Sequence, residues 1–233
     1  MKRKNLISSN SWQFGKLRNL RHFIYREVQI AKFDKILDLG AGELQISKEI
    51  STAAKKNVFA IDLQIPSKIP YNVFFAKGDA LFLPFSDKTF DAVTASFFFV
   101  WIKEINQALK EIKRVLKKEG KILFLSEPIY SERFSNGNTL FEKLYKEGLK
   151  KLGANFNIEK ELHQDLKKLG FKTYFKKTEG ACLVSGEEIL EEIEFLFERN
   201  IIDEKTFEIL KAESKKMECE ICLPILYGWA FLL

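Results

Sequence analysis

The chain has 233 residues, 46% of them hydrophobic, and 38 Lys or Arg against 32 Asp or Glu give it a net charge of +6. That length supports one α/β domain with additions but hardly two independent domains. It contains no run of about twenty uncharged apolar residues, and no apolar run follows Met1–Lys4; both points argue against a membrane span or a secretory leader and make the cytoplasm the expected location.

The positive charge is concentrated at the start. Residues 1–35 hold nine Lys or Arg against Glu27 and Asp34, about +7, and the remainder is nearly neutral. Leu17, Leu20, Ile24 and Val28 recur at helical spacing with Arg18, Arg21 and Arg26 between them, which predicts a basic helical arm over residues 1–34 with a solvated face. Such an arm could attract a polyanion such as RNA, or lie as a lid over the domain that follows. No aromatic-interleaved nucleic-acid motif accompanies the charges, which favours the solvated face.

Next comes K-I-L-D-L-G-A-G-E at Lys35–Glu43, a short apolar strand that runs into a turn carrying Gly40 and Gly42. Glycines there let the backbone turn tightly and approach a nucleotide-like ligand. Two features depart from the dinucleotide fingerprint. Gln45 stands where a third glycine would allow close helix packing, and Asp38, two residues before Gly40, would repel a pyrophosphate. A carboxylate there suits a ligand that carries an ammonium group.

Val58–Asp62 is a second predicted strand, ending in an acid placed to accept from both ribose hydroxyls, with Leu63 directly after it. Pro66 and Pro70 leave room for a loop or a single turn before the third strand at Val73–Ala76. That strand leads into Gly78, Asp79 and Ala80, where Asp79 could accept from the exocyclic amine of an adenine. One acid for an amino group, one for a ribose and one for an adenine together describe S-adenosylmethionine.

The alternation of strands and helices continues, which predicts a parallel sheet covered on both faces. Phe90–Ser96 and Lys121–Ser126 are the fourth and fifth strands. Between them Trp101, Ile105, Ala108, Leu109, Ile112, Val115 and Leu116 share one face of a helix, with Gly120 as its stop. Beyond Glu127, helices are expected over Leu140–Leu152 and Ile158–Leu169, and strands over Phe171–Phe175 and Ile221–Leu232. The stretch Ser185–Met217 reads as an acidic helical insertion. Ile189, Ile193, Leu196 and Phe197 lie along one side of it, and Glu187, Glu188, Glu191, Glu192 and Glu194 crowd the other. Cys182, Cys219 and Cys222 have only scattered His22 and His163 as possible co-ligands, so buried or half-buried thiols are expected and no metal.

The series D-L-G-A-G, A-I-D, G-D-A-L-F-L-P-F-S-D-K-T-F-D-A-V and E-I-K-R-V-L-K-K-E-G-K-I-L-F, spanning about Lys35 to Glu127, resembles the class I S-adenosylmethionine-dependent methyltransferases, within them the broad small-molecule (methyltransferase type 11-like) group. The resemblance implies a doubly wound, mostly parallel seven-stranded sheet closed by an antiparallel pair, with the N-terminal arm and the insertion added. One domain would fill residues 35–233, with residues 185–217 either a substrate cap or a solvated helix packed on the domain. By the same resemblance Asp38, Gly40, Ala41 and Gly42 would line the methionine end of the cofactor, Asp62 and Leu63 the ribose, and Gly78, Asp79 and Ala80 the adenine. Ser96 and Phe97 would face the methyl group. Leu44 occupies a position that is usually glycine in that family.

Methyl transfer from a sulfonium needs mainly in-line positioning, so a base is not obligatory and catalytic residues are hard to read. Glu127 and Tyr130 follow the fifth strand at the correct sheet edge to act as base or substrate contact. Phe97, Phe98, Phe99, Val100 and Trp101 could line an apolar pocket, although a buried strand explains at least half of those rings as core. The chain has S-F-F-F after its fourth strand instead of the N-P-P-Y type motif of enzymes that methylate nucleobase amines, and no cysteine precedes Cys182. A small-molecule methyl acceptor is therefore expected, with a monomer or homodimer as the assembly. An RNA acceptor docked through the arm and a non-catalytic S-adenosylmethionine-binding module are the alternatives, and a nicotinamide dehydrogenase comes last.

Overall fold

The computed structural model describes residues 11–137, 139–178, 181–184, 186–214 and 219–232. In chain order the elements are α1 (Ser11–Lys16), α2 (Arg18–Glu27), β1 (Ile36–Leu39), α3 (Gln45–Ala54), β2 (Val58–Asp62), β3 (Val73–Lys77), β4 (Phe90–Ser96), α4 (Ile105–Val115) and β5 (Leu116–Pro128). They are followed by β6 (Phe134–Ser135), α5 (Thr139–Lys151), α6 (Ile158–Lys168), β7 (Phe171–Lys177), β8 (Ala181–Val184), α7 (Gly186–Glu198), α8 (Glu204–Ser214), β9 (Cys219–Cys222) and β10 (Ile225–Leu232).

Seven strands form one sheet in the order β3-β2-β1-β4-β5-β10-β7. The first five run parallel, and β10 pairs antiparallel with both β5 and β7. Side chains alternate across the strands, so the central strands feed two cores. On one face Leu37, Leu39, Ile61, Val93 and Phe124 pack with Ile105, Leu109 and Ile112 of α4 and Leu162 and Leu166 of α6. On the other, Ile36, Val58, Ala92 and Leu123 meet Ile24 and Val28 from the arm and Ile50 and Ala54 of α3. The expected doubly wound sheet with its antiparallel closing pair is the observed one, and no helix crosses from β2 to β3.

Several expectations need correction. Trp101 is not on the helix that follows β4; it closes a 3-10 turn at Phe99–Trp101, and α4 starts at Ile105. Leu116 already pairs with Phe90, so Gly120 lies inside β5, after the left-handed Glu119, instead of stopping a helix. The single terminal strand is two, because Pro224 cannot donate to a ladder and separates β9 from β10. In the arm, Arg21 is buried, not solvated. Its Nε and Nη2 each bond a different oxygen of Glu49 on α3 at 2.8 Å, and Tyr25 donates to the same carboxylate. This fork fastens α2 to α3.

β9 belongs to a small second sheet, β6-β9-β8, beside a second core. Here Val100 and Tyr130 meet Phe141, Tyr145 and Leu149 of α5, Ile189, Ile193 and Leu196 of α7, and Ile221. The expected insertion is a helix pair, with the left-handed Asn200 in the connection between α7 and α8. A Cβ on Gly148 would lie 2.7 Å from Leu196, so glycine is what lets α5 approach α7 closely. Glu192 leaves the acidic face foreseen for it. It is 1% exposed and takes two bonds from Arg133, at 3.0 and 2.7 Å, while Arg133 also reaches Glu142 and lies 4.2 Å over the Tyr145 ring. None of the described helices is long and apolar enough to cross a membrane.

Candidate functional site

Strand order reverses between β1 and β4, and open α/β sheets bind ligands at the carboxyl ends of the strands beside such a switch point. β1 ends at Leu39, and the chain turns through Gly40 at φ +62° and Gly42 at φ +50°. Ala41 ties the turn to β2 by donating to the carbonyl of Ile61 at 3.2 Å. At Leu44, where the resemblance anticipates glycine, the backbone is left-handed as well, with φ +64°. That conformation costs a non-glycine residue about 1–2 kcal/mol. The side chain is fully buried against Ala60 and Val73, which offsets that cost by about 1.5–3 kcal/mol. The turn thus keeps its glycine-like path with a leucine as its anchor.

Asp38 faces α3 and is buried. Ser47 Oγ donates to one of its oxygens at 2.6 Å and Thr94 Oγ1 to the other at 2.7 Å. Burial pushes its pKa up to about 6, and the two hydroxyl bonds oppose that rise. Asp62 is half-buried and accepts from the amides of Gly42 and Gln64, both at 2.9 Å. A carboxylate has about four lone-pair sites, so two remain for a pair of hydroxyls. Leu63, next to it, is 59% exposed. Gly78 donates to the carbonyl of Asp62, Asp79 accepts from Leu81 and caps a turn, and Ala80 is buried behind it.

At the ends of β4 and β5, the Ser96 and Ser126 hydroxyls are 2.6 Å apart. Phe97 is left-handed at φ +50°, and its amide donates to Ser126. The sequence reading missed Phe98, whose ring lies over Gly40; a Cβ there would be 2.5 Å from it. It also missed Ser47 and Thr94. Thr94 could have been found from strand pairing, since it sits opposite Asp38 in the β1–β4 register.

The two side chains considered as bases are both interior. Glu127 accepts from the backbone amides of Phe98 and Val100, and burial pushes its pKa up to about 7. Tyr130 sits in the second core, and its phenol is pushed upward by the same cause. Asp91 accepts from the amides of Asp34 and Lys35 and from the Lys117 ammonium, and so shapes the entry to β1.

The fold and the turn at the switch point define the class: the chain belongs to the class I S-adenosylmethionine-dependent methyltransferases and is an enzyme that uses S-adenosylmethionine. The family described as "Methyltransferase domain" matches residues 37–124. A demethylmenaquinone methyltransferase of Lactobacillus johnsonii is 31% identical over 191 residues, which cover 74% of this chain and 75% of that one. Three further relatives of that kind are covered over 51%, 44% and 62% of their own length. Among solved structures, that of MccD protein aligns at a TM-score of 0.63 and 17% identity, over 93% of this chain and 97% of the other. A Haemonchus contortus phosphoethanolamine N-methyltransferase 2, solved with S-adenosylhomocysteine, aligns at 0.57 and 18%, over 91% and 53%. At those identities the structural likeness speaks for the fold alone.

Proposed function

We propose that the chain transfers a methyl group to a small apolar acceptor with an aromatic ring, of the demethylmenaquinone type, at a carbon, nitrogen or oxygen nucleophile. The observation that carries this reading is the kinship with the demethylmenaquinone methyltransferase of Lactobacillus johnsonii over three quarters of its length. Of the segment Phe97–Trp101 after β4, Phe98, Phe99 and Val100 are core, and the half-buried Phe97 and Trp101 are the rings that would be left to meet such an acceptor.

S-adenosylmethionine supplies an electrophilic methyl on a positively charged sulfur. Gly40, Ala41 and Gly42 would hold the methionine portion, with Asp38 supplying negative charge under its ammonium. Asp62, with Leu63 beside it, would hold the ribose hydroxyls by its free lone pairs. Gly78, Asp79 and Ala80 would form the adenine wall, and Ser96 and Phe97 would border the reacting methyl. What these residues contribute to rate is orientation and exclusion of water, which suits a displacement needing an approach of about 3–3.5 Å in line.

The helical arm and the pair α7–α8 would serve as lid and cap. Supporting that is the ion pair at 2.7 Å between Lys16 of α1 and Glu188 of α7, which joins the two additions to each other.

The test has two stages. Calorimetric titration with S-adenosylhomocysteine should give micromolar binding, about −8 kcal/mol, that collapses in Asp62→Ala. Methyl transfer is then assayed against a reduced demethylated naphthoquinone and against RNA. Turnover confined to the quinol upholds the reading, and turnover on RNA with steep salt dependence would replace it.

A further inference from the structure

We infer that Glu127 is a positioning residue whose carboxylate, at the end of β5, sets the Phe97–Val100 turn so that the Phe98 ring bears on Gly40. The inference rests on the proposed role of Gly40 in holding the cofactor. It replaces the idea of Glu127 as a base, because the carboxylate is 0% exposed and lies behind the turn.

A buried carboxylate is costly unless donors answer its charge. Here the donors are backbone amides, from Phe98 to one oxygen at 3.0 Å and from Val100 to the other at 3.3 Å, with the Phe99 amide contributing as well. Two oxygens gripping successive amides leave the segment little freedom. The segment needs that grip, because it starts at the left-handed Phe97, a conformation that is strained for a bulky residue and persists only when its surroundings enforce it. Ser126, adjacent to Glu127, adds the third hold by accepting the Phe97 amide at 2.7 Å.

What the grip delivers is the Phe98 ring. It occupies the space that a Cβ on Gly40 would fill, at 2.5 Å from that position. Gly40 has a positive φ and depends on its neighbours for its shape, so the contact transmits the arrangement at β5 to the loop after β1. The same segment continues into Trp101, so one carboxylate governs the cofactor turn and the aromatic wall together.

The experiment is a double-mutant cycle on S-adenosylhomocysteine affinity, with Glu127→Gln, Phe98→Ala and the double variant. Glutamine keeps the size but turns an NH2 toward a backbone N–H, so one of the two grips is lost. Glu127→Gln and Phe98→Ala should each weaken binding about tenfold, and the double variant no further than Phe98→Ala alone, because residues acting through one contact are non-additive. Independent losses that multiply to about a hundredfold, or wild-type affinity in Glu127→Gln, would overturn the inference. Should Glu127→Gln not fold, Glu127→Asp, whose side chain is one methylene too short to reach both amides, takes its place in the cycle under the same criterion. A wild-type protein that fails to bind would defeat the proposed site and this inference with it. Wild-type binding without coupling would defeat the role of Glu127 alone.

Discussion

At the ends of the parallel strands the buried carboxylates Asp38 and Glu127 are answered by neutral donors, whereas in the second core the buried Glu192 is answered by a guanidinium. Asp38 has two hydroxyls and Glu127 has backbone amides. Glu192 and Glu142 share Arg133. The difference decides which region responds to pH. Neutral donors offset burial only in part, so Asp38 and Glu127 are left with pKa values of about 6 and about 7. In the second core Arg133 bonds both oxygens of Glu192 and reaches Glu142, which makes an ionic joint between the chain just before β6, α5 and α7.

The largest effect is expected at that joint. Arg133→Met strands the buried carboxylate of Glu192, while Glu142 keeps Lys146, and should cost about 3–5 kcal/mol in urea denaturation. A cost below about 1 kcal/mol would erase the contrast between the regions.

Asp38→Asn probes the other side. Asp38 binds its proton near pH 6 in the folded chain and near its ordinary 3.8 in the unfolded one, so the folded state holds more protons between those values. Its contribution to stability therefore falls as pH rises from about 4 to about 6 and stays low above that. Replacing it should flatten this part of the Tm profile, an effect on the order of 2 kcal/mol. An unchanged profile would mean that Asp38 is not the group titrating there.

Smaller still is the reversal expected at Leu44. Glycine in place of alanine destabilises a helix interior, but at the left-handed N-cap of α3, φ +64°, Leu44→Gly should be more stable than Leu44→Ala by about 1 kcal/mol, read from denaturation midpoints. Least of all, Lys16→Ala should lose under about 1 kcal/mol, since the ammonium is one third exposed.

The same contrast explains what could be read from the chain. β2 and β4 have the limits expected, and β1 and β3 differ by one residue, because each is a short, mainly apolar run punctuated by glycine, proline or an acid. The acids and glycines of the cofactor turn were legible for a similar reason: their meaning is local. The second core was not. β6 has two residues and finds β9 more than eighty positions later, a pairing that no local pattern announces. Glu192 looks like its neighbours on α7 until Arg133, 59 residues away, is brought against it. Phe98 read as one ring in a run of aromatics. Only the tertiary contact with Gly40 distinguishes it.

The position of β10 between β5 and β7 has a kinetic consequence. β7 precedes β10 by some fifty residues and, among the described residues, pairs with β10 alone, so it must wait for the later strand before it can join the sheet. Until Ile225–Leu232 docks, β5 presents an open edge, and loop closure over long separations is slow. Refolding should therefore show its slowest phase in this antiparallel closure, with the parallel strands already assembled, and dilute conditions or a chaperone should raise the yield by shielding that edge.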